Sequence, residues 1–231
     1  MFAAILVPLR TPQERAAYLL THFWDSLNFA DTLHSRNSIF MEQNLISYFS
    51  LFPHVQAEAR IMAVKSLMQR AEVDETAYRL LARLAEKHLY TFGSPMQNEE
   101  YFIPFLEEIV GTSLLDETEK SRFRFLLSAA LKNRPGTMAT DFTYLTPNGE
   151  LQTLYTVPAT YRLLLLFYDP DCLHCREIIT ALSTASCLQQ QIESGQLTVL
   201  AICVGEDRDL WNCSLKDLPT QWLTGFDMGC I

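Results

Sequence analysis

Two cysteines, Cys172 and Cys175, stand two residues apart in the stretch FYDPDCLHCREII, residues 167–179. A C-x-x-C pair can exchange disulfides, hold a metal or do no chemistry at all. Haem attachment calls for a histidine directly after the second cysteine, and Arg176 occupies that place. A structural zinc site needs a second ligand pair, and Cys187, Cys203, Cys213 and Cys230 lack the spacing for one. Disulfide exchange therefore leads, with a zinc site and an incidental pair left as alternatives. The chemistry requires thiolate, which a helix N-terminus stabilises through its free N–H groups and positive dipole end. Cys172 is then the candidate attacking thiol and Cys175, one turn on, the candidate resolving thiol. His174, if protonated, favours thiolate at Cys172, whereas Asp169 and Asp171 oppose it, each by about 1 kcal/mol when solvated.

The elements around the pair must supply that helix start. RLLLLFY, residues 162–168, is short and uniformly apolar, as a strand buried on both faces should be. A helical stretch follows to about Glu193, then a Ser194-Gly195 stop and a second apolar strand, LTVLAICV, residues 197–204. Strand, helix and strand in that order form a parallel βαβ crossover with the cysteines at the carboxyl end of its first strand. Upstream, ATDFTYLTPNGELQTLY alternates, turns at Pro147-Asn148-Gly149 and resumes, which predicts a hairpin. Cys187 and Cys203 read as packing residues, a Cys213–Cys230 disulfide is conceivable, and GEDRDLW, residues 205–211, reads as a solvated loop entering a helix.

The first half is built differently. TPQE announces a helix, with Thr11 as cap, Pro12 in the first turn and Glu14 closing a capping box. Helical periodicity recurs over residues 44–52, 55–72, 74–90, 99–110 (led by Asn98) and 116–132, and stops at the proline–glycine pair of NRPG. Aromatics such as Trp24, Phe29, Tyr48, Phe49, Tyr101 and Phe102 are expected in a core, and the scattered His22, His34, His54 and His88 lack metal-ligand spacing or evident carboxylate partners. No catalytic constellation is visible there.

The 231 residues, 48% apolar and 19% charged, suit one large or two ordinary globular domains. All six cysteines lie at or beyond Cys172, and no glycine precedes Gly93. Up to Thr137 there are 14 basic and 16 acidic side chains, beyond it 4 and 11, so most of the net charge of −9 belongs to the second half. That balance argues against nucleic acid as a partner. No run approaches the roughly 18 apolar residues of a membrane span. MFAAILVP lacks a basic flank and a cleavage site, so it does not read as a signal peptide, and the sequence taken literally is cytosolic unless an export signal lies upstream.

ATDFTY (139–144), Asn148-Gly149, LLLLFYDPDCLHC (163–175) and VLAICVGED (199–207) make the second half resemble the thioredoxin-like superfamily, specifically the TlpA-like and AhpC/TSA-like thiol–disulfide oxidoreductases. The first half, in TPQERAAYLLTHFWDSLNFADTL and GSPMQNEEYFIPFLEEI, looks like the helical domain of unknown function that precedes such domains in Bacteroides-type envelope proteins. The resemblance implies a fold of class α plus α/β. A helical bundle at 1–135 is followed at 136–231 by a partial thioredoxin-like βαβ domain. It implies Cys172 and Cys175 as the redox pair, His174 and Asp171 as tuning neighbours, and neither cofactor nor metal. Protein thiols, disulfides and an upstream electron donor would be the partners, in the periplasm. Asp171 replaces a tryptophan that often precedes the first cysteine. By comparison with the family, the sequence ends before the cis-proline strand pair and final helix, with Pro219 placed in the second helical region. An uncovered sheet edge and impaired activity follow as expectations. The alternative is a non-catalytic interaction protein whose helical half binds a partner.

Overall fold

In the computed structural model, residues 11–158 and 161–229 are described, and they fall into two compact units, Met1–Ala139 and Thr140–Ile231. MFAAILVP, read as no signal peptide, and Cys230 of the conceivable Cys213–Cys230 disulfide lie outside the described residues.

Among the described residues the regular elements of the first unit are all helical: α1 (Pro12–His22), the short α2 (Thr32–Ser35), α3 (Ser38–Phe49), α4 (Ala57–Ala71), α5 (Glu75–Leu89), α6 (Glu99–Gly111) and α7 (Glu117–Ala130). The local signals hold. Thr11 and Glu14 form the reciprocal capping box, Asp116 and Glu119 form a second, and Asn98 and Asp74 accept from backbone N–H groups at the starts of α6 and α5. The core is aromatic and edge-to-face, as ring quadrupoles favour. Tyr48 meets Trp24 at 5.7 Å and Phe52 at 5.2 Å, and Phe49 meets Phe105 at 5.8 Å. Three histidines do have carboxylate partners, contrary to the sequence reading: His22 with Asp25 at 2.6 Å, His34 with Asp31 at 2.9 Å and His88 with Glu42 at 2.8 Å. The first two lie three apart in sequence. The third joins α5 to α3, 46 residues away, and so is invisible to spacing.

Asp74 carries two duties. Its carboxylate accepts from the Ala77 N–H at 2.8 Å and takes the Arg36 guanidinium through Nε and Nη2, at 3.1 and 2.5 Å. The Arg36 bond first, and the Ala77 N–H second, hold the Asp74 carboxyl below the usual carboxylate range. Asp74→Ala is expected to cost about 2–3 kcal/mol, combining a lost cap with a guanidinium left without its partner. Because the folded-state pKa is depressed, this stability is complete above the unfolded value near pH 4 and lost as pH falls through the lower folded value. Denaturant melts at pH 7 and pH 3 should show the wild-type advantage shrinking with acid.

The second unit is a mixed five-stranded sheet in the order β2-β1-β5-β4-β3, with β1 (Thr143–Leu145), β2 (Leu151–Thr153), β3 (Arg162–Tyr168), β4 (Leu197–Cys203) and β5 (Leu223–Asp227). β1 and β2 form the expected hairpin. Gly149 donates to the Thr146 carbonyl at 2.9 Å and takes φ +82°, the left-handed geometry that closes a three-residue loop. β3, β4 and β5 are parallel neighbours, and β5 runs antiparallel to β1. Helices α8 (Leu173–Thr184), α9 (Ser186–Glu193) and α10 (Arg208–Ser214) connect them, α10 opening on Asp207 as a loop-to-helix entry.

β4 is buried on both faces, Val199, Ala201 and Cys203 packing with Ile179, Trp211 and Trp222, while Leu200 and Ile202 meet Tyr144 and Val157. β3 departs from the sequence reading. It is the edge strand, only half-buried, with Phe167 43% exposed, and among the described residues no strand pairs with its outer side. An apolar run reports hydrophobicity, not position in the sheet, and an edge strand can share the pattern of a central one. The single helix expected to about Glu193 is two helices, broken at Ala185 (ψ 107°). Thr180, Ser183 and Thr184 turn their hydroxyls back onto carbonyls at 2.8 to 3.0 Å, competing with the helix ladder just ahead of the break. Pro219 belongs to no helix: it follows a 3₁₀ turn at Leu215–Asp217 and leads into β5, and all described peptide bonds are trans.

Candidate active site

The loop after β3 places the first cysteine. The Asp169 carboxylate accepts from the Asp171 N–H at 2.9 Å, and the Asp169 carbonyl accepts from the Cys172 N–H at 3.1 Å. This turn delivers Cys172 as the N-cap of α8, with φ −78° and ψ 113°. A cysteine sulfur thus occupies the place usually taken by a serine or aspartate oxygen. Its Sγ accepts from the Cys175 N–H at 3.3 Å, so one unsatisfied donor of the helix start is spent on the sulfur.

Both thiols are free and partly exposed. They are split in acidity. The hydrogen bond between the two thiol groups and the Cys175 N–H, followed by the His174 N–H, draw the Cys172 thiol below its ordinary value, against the opposing charge of Asp169. Cys175 moves up. A hydrogen bond with the Asp169 backbone works against that rise, but the bond shared with Cys172, burial, and the negative charges of Cys172 and Asp169 outweigh it. The arrangement gives one thiol that ionises early at the helix start and one that holds its proton beneath it.

The neighbours act differently from their sequence-level description. His174 contributes its backbone N–H, while its imidazole points outward, 77% exposed, with Nδ1 3.6 Å from a Glu177 carboxylate oxygen. Asp171 is exposed and contributes a backbone N–H to the turn. The carboxylate whose charge reaches the sulfurs is Asp169, which opposes ionisation of Cys172, Cys175 and Cys203 alike. A β-carbon at Gly205 would lie 3.4 Å from Asp169 Oδ1 and 3.6 Å from Cys203 Sγ, so the β4 exit loop passes close against both groups.

Cys203 is fully buried, and burial foremost pushes its thiol up, the mark of a packing residue. Cys187, expected to pack, is instead exposed on α9, because the break at Ala185 turns the second helix. Cys213 is exposed on α10. Among the described residues no group of three histidine, cysteine or acidic side chains could hold a metal ion. A cleft of about 170 Å³ lies between Asp169, Pro170, Arg176, Thr180 and Asp217, with neither cysteine in its lining. No helix among the described residues is long and apolar enough to cross a membrane.

Residues 2–133 match the family described as Domain of unknown function (DUF5106). The whole chain is similar to a crystal structure of a thioredoxin-like protein from Bacteroides caccae ATCC 43185, at 36% identity and a TM-score of 0.89, covering 99% of this chain and 82% of that one. A C-terminal domain of an uncharacterized protein from Bacteroides fragilis NCTC 9343 matches at 36% identity over 41% of this chain and 67% of its own, with a TM-score of 0.39. Among functionally curated proteins none matches.

Proposed function

The chain belongs to the DUF5106 family and is a thioredoxin-like protein, and from that premise we propose that it exchanges disulfides with protein thiols through Cys172 and Cys175. The observation that carries the reading is the position of Cys172 as the sulfur N-cap of α8, lowered in pKa, with Cys175 bonded to it and raised.

The Cys172 thiolate attacks one sulfur of a substrate disulfide, forming a mixed disulfide and expelling the other substrate sulfur as thiolate, which takes up a proton. Cys175 then loses its proton and attacks Cys172 Sγ, forming the Cys172–Cys175 disulfide and releasing the second substrate thiolate. Two electrons have passed from the pair to the substrate. A dithiol electron donor restores the reduced pair by the same exchange in reverse. Asp169 sets the turn that presents Cys172, while the bond shared with Cys172 and burial, with the charges of Cys172 and Asp169 behind them, raise the Cys175 thiol. The cell envelope is the proposed compartment, consistent with a pair that works on protein disulfides.

Reduction of insulin by dithiothreitol tests the reading. The wild-type chain should accelerate precipitation, Cys172→Ser should match the protein-free control, and iodoacetamide should label Cys172 at pH 7 faster than a free thiol of pKa about 8.5. If wild type and Cys172→Ser behave alike, the non-catalytic reading replaces this one.

A further inference from the structure

The helical unit holds a groove of about 600 Å³ between α5 and α7, within the size range of small-molecule sites. Two ion pairs of opposite polarity bridge it. Arg79 on α5 binds Glu119 on α7, with a further bond to Glu75 at 2.9 Å; farther along, Glu86 on α5 binds Arg122 on α7, one of the two contacts at 3.0 Å. Arg83 sits between them, one turn from each, lining the same groove. Among the described residues its exposed guanidinium makes no ion pair and no hydrogen bond. The floor beneath is apolar: Ala82 and Leu115 are buried, and the half-buried Phe123 ring lies 5.4 Å from the Arg122 guanidinium carbon.

We propose that this groove binds an amphipathic monocarboxylate, its carboxylate taken by Arg83 and its apolar body laid on Ala82, Leu115 and Phe123. The carboxylate would complete a third bridge in the gap between the two existing ones. A guanidinium suits it because the planar fork accepts both oxygens. A single charge is specified by the lining. Arg79 and Arg122 are already engaged, so one cation is left, and Glu119 and Glu86 at the two ends would repel a dianion such as phosphate. The exposed Thr76 and Thr118 also line the groove. The assignment is independent of the cysteine pair and leaves thiol exchange untouched.

Isothermal titration of the whole chain with sodium decanoate, held below its micelle concentration, provides the test. Wild type should bind one decanoate saturably, decanol at least tenfold more weakly, and inorganic phosphate not at all. Arg83→Gln should weaken decanoate about tenfold or more, the size of a lost charge-assisted hydrogen bond, with an unchanged melting temperature because Arg83 has no partner to lose among the described residues. Thr118→Trp, which places an indole on the groove wall and keeps the Arg83 charge, should abolish binding independently. Absence of saturable binding by wild type, equal affinity for decanol, or an Arg83→Gln affinity equal to wild type would each overturn the proposal.

Discussion

Gly225→Val is expected to unfold the sheet unit, and Gly225→Ala to destabilise it by about 3 kcal/mol, the upper part of the range for overpacking a core. Gly225 sits in β5 opposite Ile202, and a β-carbon there would collide with the Tyr144 ring and come within 2.7 Å of Ile202 Cδ1. Neither neighbour is free to move. Tyr144 is 2% exposed with its hydroxyl bonded to Gln152 at 3.0 Å, and Ile202 is fully buried in the central parallel strand. A loss of this size in a unit of under a hundred residues lowers the melting temperature by about 12–24 °C. Trp211 and Trp222, both in this unit's core, report it by fluorescence. Tyr144→Leu should recover part of the loss in a double-mutant cycle. A Gly225→Ala variant within 0.5 kcal/mol of wild type would show that the close approach is relieved at little cost.

Cys175→Ser carries the other large effect, and it is kinetic. In the wild type the second thiol attacks the mixed disulfide as a neighbour, at an effective concentration that for well-placed groups far exceeds any external thiol. Without it, escape depends on thiol from solution at millimolar levels, and release should slow by about 10³-fold or more. The variant should therefore accumulate covalent adducts with oxidised insulin, visible on non-reducing gels and cleared by dithiothreitol. Cys172→Ser should give none, because burial and the Asp169 charge still disfavour ionisation of the remaining thiol once the Cys172 sulfur is gone. Adducts forming equally on both variants would mean that the two thiols share the attacking role.

These two positions differ in how far sequence could reach them. The setting of the cysteine pair was legible because it is local: an apolar run, a turn and a helix start are contiguous in residues 162–184. The capping boxes at Thr11–Glu14 and the hairpin at Gly149 were legible for the same reason. β5 was not. WLTGFD is short, and a glycine within it reads as a turn, since the reason for the glycine is a tyrosine ring some eighty residues earlier. The assignment of β3 as a fully buried strand failed likewise, because edge or centre is decided by which other strands arrive. At the site, Asp169 and Asp171 looked equivalent from spacing, and only the turn geometry separates the one whose charge reaches sulfur from the one that faces solvent. The groove between α5 and α7 left no motif because its bridging pairs lie 36 and 40 residues apart.

The strand order has a bearing on how the protein is made. β5 lies in the middle of the sheet yet is synthesised last of the five, so the hairpin and the β3–β4 pair leave the ribosome as two fragments with no shared partner. The helical unit, complete far earlier, can fold while translation continues. The segment bearing the thiols must meanwhile wait, its apolar strands exposed and its cysteines open to adventitious oxidation, until β5 arrives to join the two fragments.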